Sequence, residues 1–226
     1  MSATPREVKT MMSMSDEQTV PASVRGEWLR ANLYGFGVGF ALHALTGYAL
    51  AGTQGFSLTA SQLAARVIGL MAAGACVALF QRRALRRVAP ELAGGGVLRS
   101  ALLAAAGFLL GFYLFGIPFD SFAGFAGLGL SAGLMLGGRE AVRAQWAWTC
   151  TMGFALAAFV AVFFAVPLYL FEVHEAGLAG HLTLWLTNGL VGGAAAGLLT
   201  GPWLESVLRA DDLRASARGR RALEAA

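Results

Sequence analysis

The chain has few charged residues for its length. Asp, Glu, Lys and Arg make up 13% of 226 residues, whereas 57% are hydrophobic. Soluble domains carry about 25% charged residues, so this composition excludes an ordinary soluble domain. The two cysteines, Cys76 and Cys150, both lie within apolar stretches and find no partner in the polar connections. A disulfide framework is therefore excluded as well.

Ionisable groups are also scarce inside the apolar stretches. His43 is the only one near the middle of such a stretch, apart from thiols and tyrosines. A proton relay requires a carboxylate or a second histidine at that depth, and a haem site between helices requires a second histidine. The common intramembrane proteases need an activated serine or two aspartates, whereas Ser131 and Asp120 stand alone. We therefore expect no enzymatic activity, no cofactor and no bound metal.

The apolar residues form six stretches of about the length that crosses a bilayer as a helix. They are Asn32–Gly52, Ala64–Gln81, Arg99–Pro118, Ser121–Gly138, Trp146–Phe171 and Thr183–Leu204. The sequence therefore predicts an all-α polytopic membrane protein with six transmembrane helices over residues 28–204. Residues 1–27 are predicted to form a disordered cytoplasmic tail. Residues 205–226 are predicted to form a basic cytoplasmic tail, which is either an interfacial helix or a solvated segment.

The positive charges indicate an orientation. With both termini inside, 16 of the 17 Lys and Arg residues fall in cytoplasmic segments, and only Arg66 lies near the outer face. The positive-inside rule then predicts a cell inner membrane protein with cytoplasmic N- and C-termini. The basic segments favour contact with anionic lipid. Without a basic patch interleaved with aromatic residues, we expect no nucleic-acid partner.

Three of the stretches resemble one another. The sequences GLMAAGACVALF, GLGLSAGLMLGG and GLVGGAAAGLLTG begin at Gly69, Gly127 and Gly189, within the second, fourth and sixth stretches. The third and fifth stretches are instead aromatic, with a proline near their ends. This alternation predicts three repeated helical hairpins, each with a Gly/Ala-rich return helix, although any two membrane helices of this composition look alike.

Small residues recur four positions apart and therefore share helix faces. Such ladders let membrane helices approach closely. A phosphate-binding loop is excluded, because the Gly-Lys-Ser/Thr ending is missing and the segment is apolar. We predict helix packing through a set of glycines that resembles a glycine zipper or GxxxG motif: Gly69, Gly129, Gly133, Gly137, Gly189, Gly193, Gly197 and Gly201.

A few polar residues are candidates for a path or a contact. His43 is expected to be functional or to be a neutral imidazole bonded to a carbonyl or to Thr46. Asp120 is expected to cap a helix, and Asn188 to line an aqueous path or bond a neighbouring helix. The last outer loop contributes the densest group, Glu172, His174, Glu175 and His181. Its spacing is not H-E-x-x-H, and a single loop would supply every ligand, so we predict no metal site.

Two functions fit these observations. The first is a non-catalytic accessory or scaffold subunit that assembles with other membrane subunits or with itself. The second is a facilitative channel or carrier for a small, mostly neutral solute. The scarcity of charge at bilayer depth argues against an ion-coupled pump, which needs fixed ligands for its coupling ion.

Overall fold

The computed structural model describes residues 23–51, 59–90, 96–115, 119–135 and 140–224, and these form helices with no strand among them. A 3-10 turn, Val173–Glu175, precedes the last helix. The six α-helices are α1 (Val24–Ala51), α2 (Ala60–Val88), α3 (Val97–Phe115), α4 (Phe119–Gly133), α5 (Glu140–Leu170) and α6 (Gly177–Glu224).

Five of these helices, all except α4, are long and apolar enough to cross a membrane. This property suggests a membrane-embedded protein. The α4 helix has 15 residues, which corresponds to about 22 Å, whereas a bilayer core measures about 30 Å. Two helices extend into the predicted tails. The first helix starts at Val24, inside the predicted disordered tail of residues 1–27, and α6 continues through residues 205–224 of the predicted basic tail.

Each helix packs against the next one along the chain, and α6 packs against α1 to close a ring. Contacts between α1 and α2 run in antiparallel register, because Gly39 faces Ala73 and Gly35 faces Val77. The register of α6 against α1 is also antiparallel, with Gly189 at Phe36 and Gly197 at Leu29. The start of α1 and residues 201–209 of α6 therefore lie at the same end of the bundle.

That end also holds the last turn of α2 and the first turns of α3 and α5. It contains most of the described arginines, and we call it the arginine-rich end. Among the described residues, Arg66 alone of the arginines lies at the opposite end, near the start of α2.

A local capping motif explains where α2 begins. A capping box starts α2: the Thr59 hydroxyl accepts from the Gln62 backbone N–H, and the Gln62 side chain accepts from the Thr59 N–H. Asp120 is different, because α4 already begins at Phe119. Asp120 is therefore the second residue of the helix and not its N-cap, and its side chain lies outside the described part of the structure.

Aromatic side chains fill the axis of the bundle. The Phe36 ring lies 5.0 Å from that of Phe125 and 5.6 Å from that of Phe154, measured between centroids. Phe40 stacks on Phe36 and also contacts Phe125. These four side chains come from α1, α4 and α5, and all are buried. They form an aromatic core where helices from across the ring meet.

Candidate functional site

The glycines of α6 lie directly against the backbone of α1. A Cβ atom added at Gly193 would lie 2.6 Å from the carbonyl oxygen of Asn32, and one added at Gly189 would lie 2.7 Å from that of Phe36. At Gly197 the nearest atom is the Leu29 Cα at 2.8 Å. Distances below 3.0 Å leave no room for a side chain. This face of α6 is therefore occupied by α1 and does not border an open path.

Gly201 differs from the three glycines before it. A Cβ atom at this position would meet its nearest atom, the Trp28 Cδ1, at 3.7 Å, which is an ordinary van der Waals contact. The close approach of α1 and α6 therefore ends between Gly197 and Gly201, although both residues belong to the same predicted ladder.

The other predicted glycines face different neighbours. A Cβ at Gly129 would overlap the Cys150 backbone of α5, one at Gly133 would overlap Ala147, and one at Gly69 would lie 2.5 Å from the His43 Nδ1 atom. Gly137 lies outside the described residues. The repeat is not confirmed, because Gly69 and Gly127 face the preceding helix whereas Gly189 faces α1.

A buried polar network joins α1 to both of its neighbours near the arginine-rich end. The Trp28 indole N–H donates to the Thr200 hydroxyl of α6 at 2.8 Å. Asn32 donates to the Trp28 carbonyl at 2.8 Å, and its own amide oxygen accepts from Gln81 of α2 at 2.9 Å. These four side chains are at most 1% exposed. Because an unpaired buried polar group is costly, this network specifies how the three helices meet.

Ion pairs surround the network at the same end. Glu27 of α1 is 8% exposed and pairs with Arg30 at 2.9 Å and with Arg87 of α2 at 3.0 Å. Glu205 of α6 pairs with Arg25 of α1 and with Arg209. One carboxylate thus links α1 to α2, and the other links α1 to α6.

No sequence pattern singled out the members of this network. Asn32 and Gln81 appear there only as the limits of two apolar stretches, and Glu27 falls in the predicted tail. Their positions in the sequence nevertheless indicate that two of them could meet. When the first two stretches are paired as an antiparallel hairpin, the polar residues that end them meet on neighbouring helices.

At the opposite end, two histidines flank one tryptophan. His43 of α1 lies 4.5 Å from Trp185 of α6 between ring centroids, in an edge-to-face arrangement, and His181 lies 6.3 Å from Trp185. Tyr48 contacts His181 from α1. His43 and His181 are both at most 5% exposed. The fold therefore buries a second histidine against the same tryptophan that His43 contacts.

The His43 Nδ1 atom does not make the predicted bond to Thr46 or to a carbonyl. This atom is buried and has no hydrogen-bond partner among the described residues, because it faces Gly69 of α2. The Asn188 Oδ1 atom is also buried and unpartnered in the described structure, and the residue is 7% exposed. Beside Trp185 and Phe40 lies a cavity of about 20 Å³ with apolar walls, which is room for about one water molecule.

The described members of the predicted outer-loop group differ in their exposure. Glu172 and Glu175 are exposed in the turn between α5 and α6, whereas His181 is buried on α6. The His174 side chain lies outside the described part of the structure. Among the described residues, no three His, Cys, Asp or Glu side chains lie close enough together to hold a metal ion.

Comparison of the chain with protein-family models, curated proteins and solved structures finds no match. The function must therefore be argued from the residues themselves.

Proposed function

We propose that the chain crosses the membrane six times, as three helical hairpins. The antiparallel contacts within α1–α2, α3–α4 and α5–α6 support the hairpins. In this proposal the short α4 is also a crossing, which is consistent with α3 ending at the opposite end of the bundle and α5 beginning at the arginine-rich end. A helix of about 22 Å can return the chain if the bilayer thins locally around it.

The arginines support an inner-membrane orientation with the arginine-rich end in the cytoplasm. Arg82, Arg83, Arg86 and Arg87 end α2, and Arg99 starts α3 at that same end. Short basic connections are retained on the cytoplasmic side. The start of α1 and the end of the transmembrane part of α6 lie together there, so both termini are cytoplasmic in this proposal.

Within that membrane the chain acts as a non-catalytic accessory or assembly subunit. The observation that carries this proposal is an exposed stripe of aromatic and aliphatic side chains on α5. The glycine faces, in contrast, pack against other helices of the ring. Phe159 is 59% exposed and Phe163 is 70% exposed. The other large members of the stripe are Trp148, Met152, Leu156 and Leu170, at helical spacing along one face. Aromatic residues are enriched at the interfaces of assemblies, and we assign this stripe to contact with another membrane subunit.

Purification from native membranes in mild detergent tests the assignment. Mass spectrometry should find a partner at fixed stoichiometry, and Phe159→Ala with Phe163→Ala should release it while the bundle stays folded. Leu98→Ala with Leu102→Ala is the matched control, because these α3 side chains are 66% and 51% exposed but lie on another helix. A homogeneous preparation that contains only this chain would refute the accessory role.

A second candidate is a facilitative path for a small neutral solute. The unpartnered His43 Nδ1 and Asn188 Oδ1 atoms support it, because both are polar atoms within the bundle. The aromatic core of Phe36, Phe40, Phe125 and Phe154 opposes it, since these side chains fill the axis. Solute flux into liposomes should be lost in Asn188→Leu and retained in Thr183→Val, which changes an exposed residue of the same helix. Wild-type flux in Asn188→Leu would remove this residue from the path.

A further inference from the structure

Two histidines are buried against one tryptophan at the end of the bundle opposite the arginine-rich end, and we call His43, His181 and Trp185 the histidine cluster. His43 is 2% exposed and His181 is 5% exposed. The His43 ring meets the Trp185 ring edge-to-face with 4.5 Å between centroids, and His181 lies 6.3 Å from the same ring. The cluster therefore joins α1 to α6 through two side chains of the type that can gain a proton between pH 5 and 8.

The Nδ1 atom of His43 faces a third helix. A Cβ atom added at Gly69 of α2 would lie 2.5 Å from this nitrogen, so the imidazole lies directly against the α2 backbone. The Nδ1 atom is buried and has no hydrogen-bond partner among the described residues. A neutral imidazole can leave this nitrogen without a proton, whereas a protonated imidazole has an N–H donor on both nitrogens. Protonation of His43 would therefore create a buried donor that no described atom accepts.

A positive charge already acts on His43 from α2. Arg66 lies one turn before Gly69 and therefore on the same helix face. The charge of Arg66 acts on His43, as does His181 of α6. A proton on His43 would thus add a second positive charge beside Arg66 at a buried position. The described charged and titratable groups around the cluster come from five elements: Tyr48 of α1, Arg66 of α2, Tyr169 of α5, Glu175 of the turn and His181 of α6.

Two attractions favour a proton on His43. The Trp185 ring attracts a cation, and Glu175, whose charge acts on Tyr169 together with that of Arg66, is a negative charge at this end. Glu175 is exposed, so solvent screens its charge. A ring attracts a cation by less than the burial of an unpaired charge costs. The closed cluster therefore holds His43 in its neutral form.

We propose that His43 is a pH-sensitive latch, which holds α1 against α2 and α6 at this end of the bundle when neutral and releases them when protonated. An imidazole in water takes up a proton below about pH 6.5. When the helices separate, water reaches the Nδ1 atom and accepts its hydrogen bond, so acid favours the open arrangement. The proposed membrane orientation enters only through the compartment whose pH is sensed, which is the outer one.

Hydrogen exchange of the purified full chain in a nonionic detergent, read by mass spectrometry, tests the latch. Backbone amides at residues 40–48 and 181–188 are compared at pH 7.5 and pH 5.0, after correction for the intrinsic exchange rate. We expect their protection to fall about thirtyfold, because an opening that takes up one proton becomes about tenfold more favourable for each pH unit below about 6.5. Protection at residues 200–208 of α6 is the internal reference and should stay unchanged.

His43→Phe is the deciding variant, because it keeps a ring against Trp185 but cannot take up a proton. Its protection should be the same at the two pH values. The chain has three histidines, so His174→Gln and His181→Phe are the matched controls, and both should retain the fall in protection.

A fall that persists in His43→Phe would overturn the proposal, and so would a wild-type chain without any fall. Loss of the fall in His174→Gln or His181→Phe would assign the sensing to that residue and contradict the role of His43. An equal loss of protection at residues 200–208 would mean that acid unfolds the whole bundle, which also contradicts a local latch. If His43→Phe does not fold, His43→Gln decides the question, because its amide is likewise neutral at both pH values.

The result is separable from the proposed function, because the measurement is made on the isolated chain in detergent. A chain that shows the latch but purifies without any partner would refute the subunit assignment and leave the latch intact. A reversed membrane orientation would likewise leave the latch intact and change only the compartment whose pH it senses.

Discussion

The indole nitrogen of Trp28 donates to the hydroxyl oxygen of Thr200 across 2.8 Å, and this bond joins residues that are 172 positions apart in the chain. The Thr200 hydroxyl in turn donates to the Ala196 carbonyl of its own helix. Both residues are at most 1% exposed. The bond therefore ties the first helix to the last one in a place that water does not reach.

Thr200→Val should weaken the fold, because it keeps the volume but leaves the Trp28 N–H buried without an acceptor. We expect the free energy of unfolding to fall by about 1–3 kcal/mol. Unfolding of the purified protein in mixed detergent, followed by circular dichroism, measures this change. Thr183→Val is the control, because Thr183 is exposed and bonds only to its own helix. Similar losses in both variants would contradict an interhelical role for Thr200.

Two glycines about two turns apart on α6 should respond differently to the same substitution. Gly193→Ala places a methyl group 2.6 Å from the Asn32 carbonyl oxygen, so α1 and α6 must separate, at a cost of about 1–3 kcal/mol. Gly201→Ala meets its nearest atom at 3.7 Å and should be neutral or slightly stabilising, because alanine favours a helix. The two unfolding curves provide the comparison. A Gly193→Ala variant as stable as Gly201→Ala would refute close packing at Gly193.

The Asn32–Gln81 bond can be measured with a double-mutant cycle. Asn32→Leu and Gln81→Leu each leave the other amide buried without its partner, whereas the double variant removes both groups. We expect a coupling free energy of about 0.5–2 kcal/mol, the range found for hydrogen bonds between membrane helices. Unfolding free energies of the four proteins give this value. Strict additivity of the two single changes would mean that the bond does not contribute to stability.

Membrane orientation can be tested with single cysteines at the two ends. Ala176 lies in the turn before α6, Ser206 lies on α6 at the arginine-rich end, and both are exposed. In a background without Cys76 and Cys150, a membrane-impermeant maleimide added to whole cells should label Ala176→Cys and not Ser206→Cys. Disrupting the membrane should make both accessible. The reverse pattern would place the arginine-rich end outside.

Hydropathy alone located most of the helices, because long apolar stretches are the dominant signal in this sequence. The α4 helix is where this reasoning fails. The stretch Ser121–Gly138 contains enough apolar residues, yet the helix ends at Gly133. Hydropathy counts apolar residues and does not show where a helix ends: the equally Gly-rich segment of α6 from Gly189 to Gly201 is helical throughout.

The packing partner of each small-residue helix face could not be predicted. A ladder of small residues shows that another helix can approach closely, but it does not show which helix does so. Gly129 and Gly133 face α5, whereas Gly189 and Gly193 face α1. Similarly, the sequence places His181 in the last outer loop, whereas in the structure this residue lies on α6, which begins at Gly177. Its burial beside Trp185 and Tyr48 depends on contacts between helices that are distant in sequence.

The closure of the ring by α6 has a consequence for biosynthesis. The first helix enters the membrane early, yet the Trp28 indole N–H has no Thr200 acceptor, and the backbone at Asn32 has no Gly193 against it, until α6 has been made. At about 5–20 residues per second, that delay is on the order of 10–30 s. During this interval the Trp28 indole and the part of the α1 backbone that α6 later covers contact lipid or the insertion machinery. A nascent chain arrested before the last helix would therefore be a natural substrate for membrane quality control, even though five of its six helices are complete.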